Sequence, residues 1–518
     1  MEIREKIQDV IEKSFVFDQP KKSIEIEIYT PLKKEHGDYT AAIRYKKGKP
    51  SIDRLEKTIK KIKKSKDYKK FFKDVKFEPP IFVNFFLLDS YFSKKIKDIL
   101  KKKERFGELD LGKDKKIQVE FISANPTGPL TVANARGGPF GDVLGNVFKK
   151  AGFNVEKAYY INDCGKQILA LGHSVLKDKE AEYKGEYIDF LSRKVKTKDP
   201  LAAGEKAAEI ILEKMIKKTV KKLGIEYDEW FSEKSLHQSK DIEKVLDIFK
   251  KKGLIYEKEG AIWFKSSSFG DERDRVLIKS DGAKTYLAGD IAYHNYKFKE
   301  KKFDKVVNIW GADHFGDAPG LKSGMEALGF KNKLEIIFLQ FVTLFEKKKR
   351  LKMSKRKGTY ITLDELLKDI DKDVIRFFFL EKAANTHLNF DLSLAKEQSE
   401  KNPVYYIQYA HARICSILRK ADFGGKFSGK LAEAEIDLAR RIIRFPEIVK
   451  DTFKDYQIQR IPRYAKELAE SFHRFYGDCR VMVENEKIRN KRLALILATK
   501  IVLKNTLDLM GISAPEKM

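Results

Sequence analysis

The segment Lys352-Met353-Ser354-Lys355-Arg356-Lys357-Gly358 sets two lysines three residues apart, with a serine between them and a glycine beyond. A cationic loop of this kind can fold over a triphosphate and neutralise charge gathering on departing pyrophosphate. A helix is announced just after it, because Thr362 and Glu365 have capping-box spacing. The same composition also suits a solvated basic loop. Upstream, Ser123-Ala124-Asn125-Pro126-Thr127-Gly128-Pro129-Leu130-Thr131-Val132-Ala133-Asn134 falls between an expected strand and an expected helix. Nucleotides bind at such turns, where backbone approaches phosphate and a helix N-terminus favours anions. Thr131 and Asn134 could both direct donors into that crevice, or could serve as caps of an ordinary turn. The two segments in this order are more specific for a nucleotide site than either alone.

The elements that must position them can be read from periodicity. Ile117–Ile122 has the character of a strand, 134–150 of a helix and Val155–Ile161 of a second strand. That is the opening unit of a doubly wound parallel sheet. Strand-like runs return at Val276–Lys279, Val306–Trp310 and Ile336–Val342. Ahead of this unit come a helix near Ile7–Ser14, alternation at Ile24, Ile26 and Ile28, a lysine-rich helical stretch Leu55–Phe72, and an apolar strand Ile81–Leu88. From Ala395 onward the pattern is helical, with Tyr405, Tyr409, Ile414 and Ile417 on one face and Leu493, Ile496, Leu497 and Ile501 on a later one. The expected organisation is an α+β domain over 1–112, an α/β doubly wound, Rossmann-like catalytic domain over 113–395 with a helical insertion at about 169–259, and an all-α domain over 396–518.

A chain of 518 residues exceeds one hydrophobic core, which agrees with several domains. No apolar run approaches the roughly 20 residues of a bilayer span, and the charged start lacks a secretory signal, so a soluble cytoplasmic protein with no membrane partner is expected. Cys164, Cys415 and Cys479 lie far apart and form no Cys/His cluster of zinc-ligand spacing, which argues against a disulfide framework and against zinc. The net charge of +29 suits a polyanion such as RNA, although lysine-rich surfaces produce the same excess.

The turn and lysine loop together resemble a class I aminoacyl-tRNA synthetase, and the chain is similar to the arginyl-tRNA synthetase family along essentially its whole length. Val119-Glu120-Phe121-Ile122-Ser123-Ala124-Asn125-Pro126 is similar to that family's lead-in to its first signature. So are the blocks Tyr159 to Gln167, Trp230 to Glu233, Lys279 to Gly282, Asp290 to His294, Trp310 to His314, Tyr405 to Arg413 and the ending Gly511 to Met518. The resemblance implies activation of arginine by ATP with Mg2+, and transfer of the product to the terminal adenosine of tRNA(Arg) by a monomeric enzyme.

It also implies that Glu120, Ser123, Asn125, Tyr286 and Asp290 bind arginine. Thr131, Ala133, Asn134, Gly311, Asp313, His314, Met353, Ser354 and Lys355 would bind ATP, with Lys352, Lys355, Thr131 and Asn134 acting in catalysis. Tyr405, Gln408, Tyr409 and Arg413 would face tRNA. Two carboxylates suit a guanidinium, whose planar fork of donors pairs with two acceptors. The family's usual His-x-Gly-His signature is replaced here by Thr131-Val132-Ala133-Asn134, and Phe315 stands where many relatives carry a second histidine. The alternative reading is a synthetase-like tRNA-binding paralogue with weakened catalysis.

Overall fold

The computed structural model describes residues 3–15, 24–31, 33–46, 51–347, 349–351, 361–421, 423–424 and 427–518. Its centre is a five-stranded, all-parallel sheet in the order Leu334–Leu339, Lys305–Gly311, Lys116–Glu120, Asn154–Ile161, Glu229–Ser232. The chain winds to one side of its first strand and then to the other. The crevice where ligands gather is therefore expected between Lys116–Glu120 and Lys305–Gly311, at their carboxyl ends. Helix Gly137–Lys150 covers the sheet closely, because a Cβ at Gly141 would sit 2.1 Å from the Phe121 ring.

Several expected elements lie elsewhere or break sooner. Glu229–Ser232 belongs to the central sheet, although it falls inside the span expected to be a helical insertion. Val276–Lys279 was expected in the sheet, but its counterpart Arg275–Ile278 pairs antiparallel with Ala261–Phe264 in a separate three-stranded layer. The run Ile336–Val342 divides at Gln340-Phe341 into Leu334–Leu339 and Val342–Glu346, and the second strand pairs with Leu388–Asp391. An apolar run does not mark where a chain changes direction.

The N-terminal unit is a four-stranded antiparallel sheet, Ile24–Tyr29, Tyr39–Tyr45, Phe82–Leu87, Phe72–Glu78, with helices against it. The lysine-rich stretch is two helices, Ile52–Lys64 and Lys66–Phe71, because the Ser65 hydroxyl caps the second by accepting from Tyr68 N–H at 3.1 Å. In the C-terminal helical unit, Pro403–Arg419 buries Val404, Ile407, Ala410, Ile414 and Ile417. That corrects the expected apolar face, since Tyr409 is 49% exposed and Tyr405 only half-buried. The long helix Glu486–Met510 is buried on most of its circumference and touches Asp89–Lys102, Gly137–Lys150 and three of its own helical neighbours.

Arg376, on helix Lys372–Leu380, joins these units from a fully buried position. Its guanidinium donates to the carbonyls of Met510 (2.7 Å) and Leu223 (3.1 Å) and forms an ion pair with Asp142. Burial opposes ionisation of the Asp142 carboxyl, but Arg376 and Lys157 outweigh it and hold the group below the usual carboxylate range. Gly511 is required beside this guanidinium: its φ is +63°, and an added Cβ would lie 2.3 Å from Arg376 Nη2. Arg376→Ala should destabilise the fold by about 3–5 kcal/mol, the usual cost of stranding one partner of a buried pair. A lysine should not rescue it, because one ammonium cannot span three acceptors. Urea unfolding midpoints check this, and an unchanged midpoint would contradict it.

Candidate active site

The first strand ends at Glu120, and the chain then turns sharply. Ile122 and Ser123 adopt φ of +64° and +40°, a left-handed path that costs a β-branched residue especially. This turn brings the Ser123 hydroxyl back to donate to Glu120 Oε1 (3.3 Å) and to accept from Tyr160 N–H (3.0 Å). Asn125 Nδ2 donates to Gln167 Oε1 at 2.6 Å, which fixes the start of the Pro/Gly turn.

Glu120 meets a partner that the sequence did not announce. Lys297 Nζ donates to Glu120 Oε2 at 2.6 Å, with the lysine side chain 0% and the glutamate side chain 8% exposed. Lys297 also lies 4.0 Å from the Tyr293 ring centroid. It comes from helix Tyr286–Lys299, whose first turns carry Tyr286 and Asp290. Burial, then the Glu120 and Glu233 carboxylates, push the Asp290 carboxyl up to about 8. Burial, with Asp163 adding, pushes Glu233 up to about 7 against an opposing hydrogen bond from Tyr160, and Glu233 Oε2 has no partner among the described residues. Glu120, Glu233 and Asp290 thus crowd together with one buried ammonium, which is already engaged by Glu120. A cation is the natural occupant. Tyr286 stands at the rim, 63% exposed.

The helix holding Asp290 is oriented from beneath. Asn308 on the adjacent strand donates to His294 Nε2 (2.7 Å), so His294 Nδ1–H donates to the Asp290 carbonyl (2.7 Å). Burial, then Lys297, hold this histidine well below its ordinary pKa and neutral. Sequence reasoning missed Lys297 as Glu120's partner and gave Glu233 no role. A buried carboxylate pairs through space, and its partner's distance along the chain carries no signal.

Thr131 and Asn134 do not both direct donors outward as expected. The Thr131 hydroxyl and backbone N–H donate to Asn134 Oδ1 at 2.8 and 3.2 Å. This occupies the Asn134 amide oxygen and leaves its NH2 as the donor of the pair, and Ala133 beside it is exposed. This turn is sewn to the chain just beyond the lysine loop: Leu363 N–H donates to Leu130 O (2.8 Å), Val132 N–H to Ile361 O (3.3 Å), and Thr131 bridges Thr362. The loop residues Lys352, Met353, Ser354 and Lys355 lie outside the described residues, but the segment that follows them is thereby fixed at the nucleotide turn. Arg136, 1% exposed, holds the other side by donating to the carbonyls of Gln340 (2.9 Å), Thr386 (2.8 Å), Lys382 (3.3 Å) and Ala383 (2.7 Å). No carboxylate faces it among these contacts, and burial lowers its pKa to about 10.

At the end of the neighbouring strand, Gly311 lets Asp313 fold back, since a Cβ there would meet Asp313 Oδ1 at 2.3 Å. His314 is exposed, with its Nδ1 3.3 Å from Asp317 Oδ2. Phe315 is 69% exposed and rests on Phe338. Of the residues expected to face tRNA, Tyr409 stacks on His473 and Arg413 on Tyr476, both at the surface. Gln408 instead points inward, donating to Asp373 Oδ2 (3.0 Å) and to the Ser513 carbonyl (3.1 Å), so it holds the C-terminal tail.

Three family models account for the chain from end to end. Residues 1–87 match the arginyl tRNA synthetase N terminal domain, 95–230 and 178–388 the class I (R) tRNA synthetase catalytic domain, and 407–518 the DALR anticodon binding domain. The arginine–tRNA ligase of Caldanaerobacter subterraneus is 40% identical over 99% of both chains. That of Bacillus subtilis is 39% identical over 94% of each. In fold, the chain superposes on the arginyl-tRNA synthetase of Thermus thermophilus with a TM-score of 0.78 at 19% identity, covering 100% of both chains. The Plasmodium falciparum structure gives 0.78 at 20% identity, covering 100% of this chain and 99% of that one. With its catalytic model spanning more than half of its length and relatives at about 40% identity across nearly all of it, the chain belongs to the arginyl-tRNA synthetase family.

Proposed function

We propose that the chain is a working arginyl-tRNA synthetase that makes arginyl-adenylate from arginine and MgATP and passes the arginyl group to the terminal adenosine of tRNA(Arg). The observation that carries this is the crowding of Glu120, Glu233 and Asp290 at the carboxyl edge of the parallel sheet, beside the nucleotide turn. Asp290 and Glu233 would grip the guanidinium, whose two-pronged donors match paired carboxylates. Glu120, already neutralised by Lys297, would fix the pocket floor with Ser123, and Tyr286 would close the rim. Asn125 would meet the α-amino end. Ala133 and Asn134, with Gly311, Asp313 and His314 opposite, would receive the nucleotide.

In the first step an oxygen of the arginine carboxylate attacks the α-phosphorus. The bond from that phosphorus to the bridging oxygen of the leaving pyrophosphate breaks. In the second, a ribose hydroxyl attacks the arginyl carbonyl, loses its proton and displaces AMP. Little acid–base work is needed, so rate comes from alignment and from charge stabilisation. Lys352 and Lys355 would neutralise the pyrophosphate, and the reaction needs no zinc. Asn134 replaces a cationic imidazole with a neutral donor, so the two lysines would carry a larger share of phosphate binding. Tyr405, Tyr409 and Arg413 offer stacking and charge to RNA. The weakened-paralogue reading finds no support, because full-length relatives are arginine–tRNA ligases. No described helix is long and apolar enough to cross a membrane.

Charging of tRNA with each amino acid in turn tests the proposal: arginine alone should be accepted, and binding of tRNA without any charging would sink it. Two variants should separate the roles. Asp290→Asn should cut kcat/KM for arginine by roughly 100-fold or more, equivalent to about 3 kcal/mol for an unpaired buried charge. Lys355→Ala should slow ATP–pyrophosphate exchange while leaving arginine affinity nearly unchanged, and equal losses in both quantities would refute the division. The carboxyls also set a pH dependence. Their raised pKa values mean that arginine binding must expel protons, so affinity should strengthen as pH rises through 7 to 8. Calorimetry in buffers of different ionisation enthalpy reads that release, and proton uptake on binding would reverse the assignment.

A further inference from the structure

Beside the arginine pocket, three side chains of different chemistry converge: the Cys164 thiol, the Glu233 carboxyl and the His237 imidazole, whose ligand atoms all lie within 4.8 Å of one another. Among the described residues this is the group of at least three such side chains brought so close. Glu233 and His237 stand four apart on helix Glu233–Gln238 and share its face. Cys164 is held opposite by its neighbour, since Asp163 accepts from Ser232 Oγ (2.5 Å) and from Lys234 N–H (3.0 Å).

The group is built but electrostatically incomplete. Glu233 is 8% exposed, and its Oε2 has no partner among the described residues. The Glu233 and Asp163 carboxylates lie beside the Cys164 thiol and set negative charge where a cation would sit. His237 stands on the exposed side of the group and offers it a ring nitrogen. A sulfur, a nitrogen and an oxygen ligand suit a borderline-soft divalent ion rather than Mg2+ or Ca2+.

We propose that Cys164, Glu233 and His237 form a binding site for a thiophilic divalent cation of the zinc class, and that the ion and arginine exclude one another through Glu233. Binding forms the metal–sulfur bond and releases the thiol proton to solvent. The reaction does not use the ion. Occupancy takes one carboxylate away from the guanidinium and adds positive charge where the substrate's own must sit. The exclusion, though not the site, rests on the assignment of Glu233 to the arginine pocket. The spacing of cysteines along the chain argued against zinc, but His237 lies far from Cys164 in sequence and next to it in space.

Co2+ tests the site, because a cobalt–thiolate bond absorbs where hexaaqua cobalt does not. Untagged full-length protein, stripped with chelator and desalted, should develop that band on titration with Co2+, and Zn2+ should bleach it. Cys164→Ser should abolish the band, and His237→Ala should weaken it while keeping the thiol. No band in the wild type, or an undiminished band in Cys164→Ser, overturns the proposal. Cys415 supplies the internal alternative, since its Sγ lies 3.8 Å from His411 Nδ1, and a band that survives in Cys164→Ser would be assigned there. Added arginine should displace the ion. A cobalt band untouched by saturating arginine would overturn the exclusion, and a band in a protein that charges no tRNA would count against the enzymatic reading alone.

Discussion

Carboxyl groups forced together out of water are the constraint on which this structure turns. Burial and proximity push the Asp290 and Glu233 carboxyls toward their neutral forms, and Lys297 pairs with Glu120. Such crowding persists only when the surrounding scaffold is rigid. The scaffold supplies a parallel sheet, a helix pinned through His294 and Asn308, and a strained turn at Ile122 and Ser123.

The nucleotide side is organised by backbone rather than charge. Leu130, Thr131 and Val132 pair with Ile361, Thr362 and Leu363, so the first signature and the segment beyond the lysine loop form one miniature ladder. Arg136 locks the opposite flank by filling four carbonyls with a single side chain. Main-chain bonds set the path of this turn, and the Thr131 hydroxyl sets the Asn134 amide by donating to its Oδ1.

Motif order in the sequence pointed to the sheet, the turn and the loop, and full-length relatives agree with the family it suggested. The members that escaped notice share a physical reason. Lys297 looked like one more surface lysine in a lysine-rich chain, yet it is fully buried because Glu120 lies above it. Gln408 sits in a block rich in aromatic and basic residues, yet Asp373 and Ser513 draw it inward. Tyr405 and Tyr409 carry apolar rings at helical spacing, while the real core stripe runs through Val404, Ile407 and Ala410. Burial depends on neighbours distant in sequence, and composition cannot report them.

The guanidinium of Arg376 donates to the backbone carbonyl of Met510, 134 residues further along the chain. A ribosome releases the chain in order, so Arg376 and Asp142 leave the exit tunnel long before helix Glu486–Met510 has been made. Until then the catalytic sheet carries an exposed ion pair and an unfilled seam. Completion of this fold is therefore a late event of its own translation, and the C-terminal helical unit acts as the bolt that closes the sheet domain.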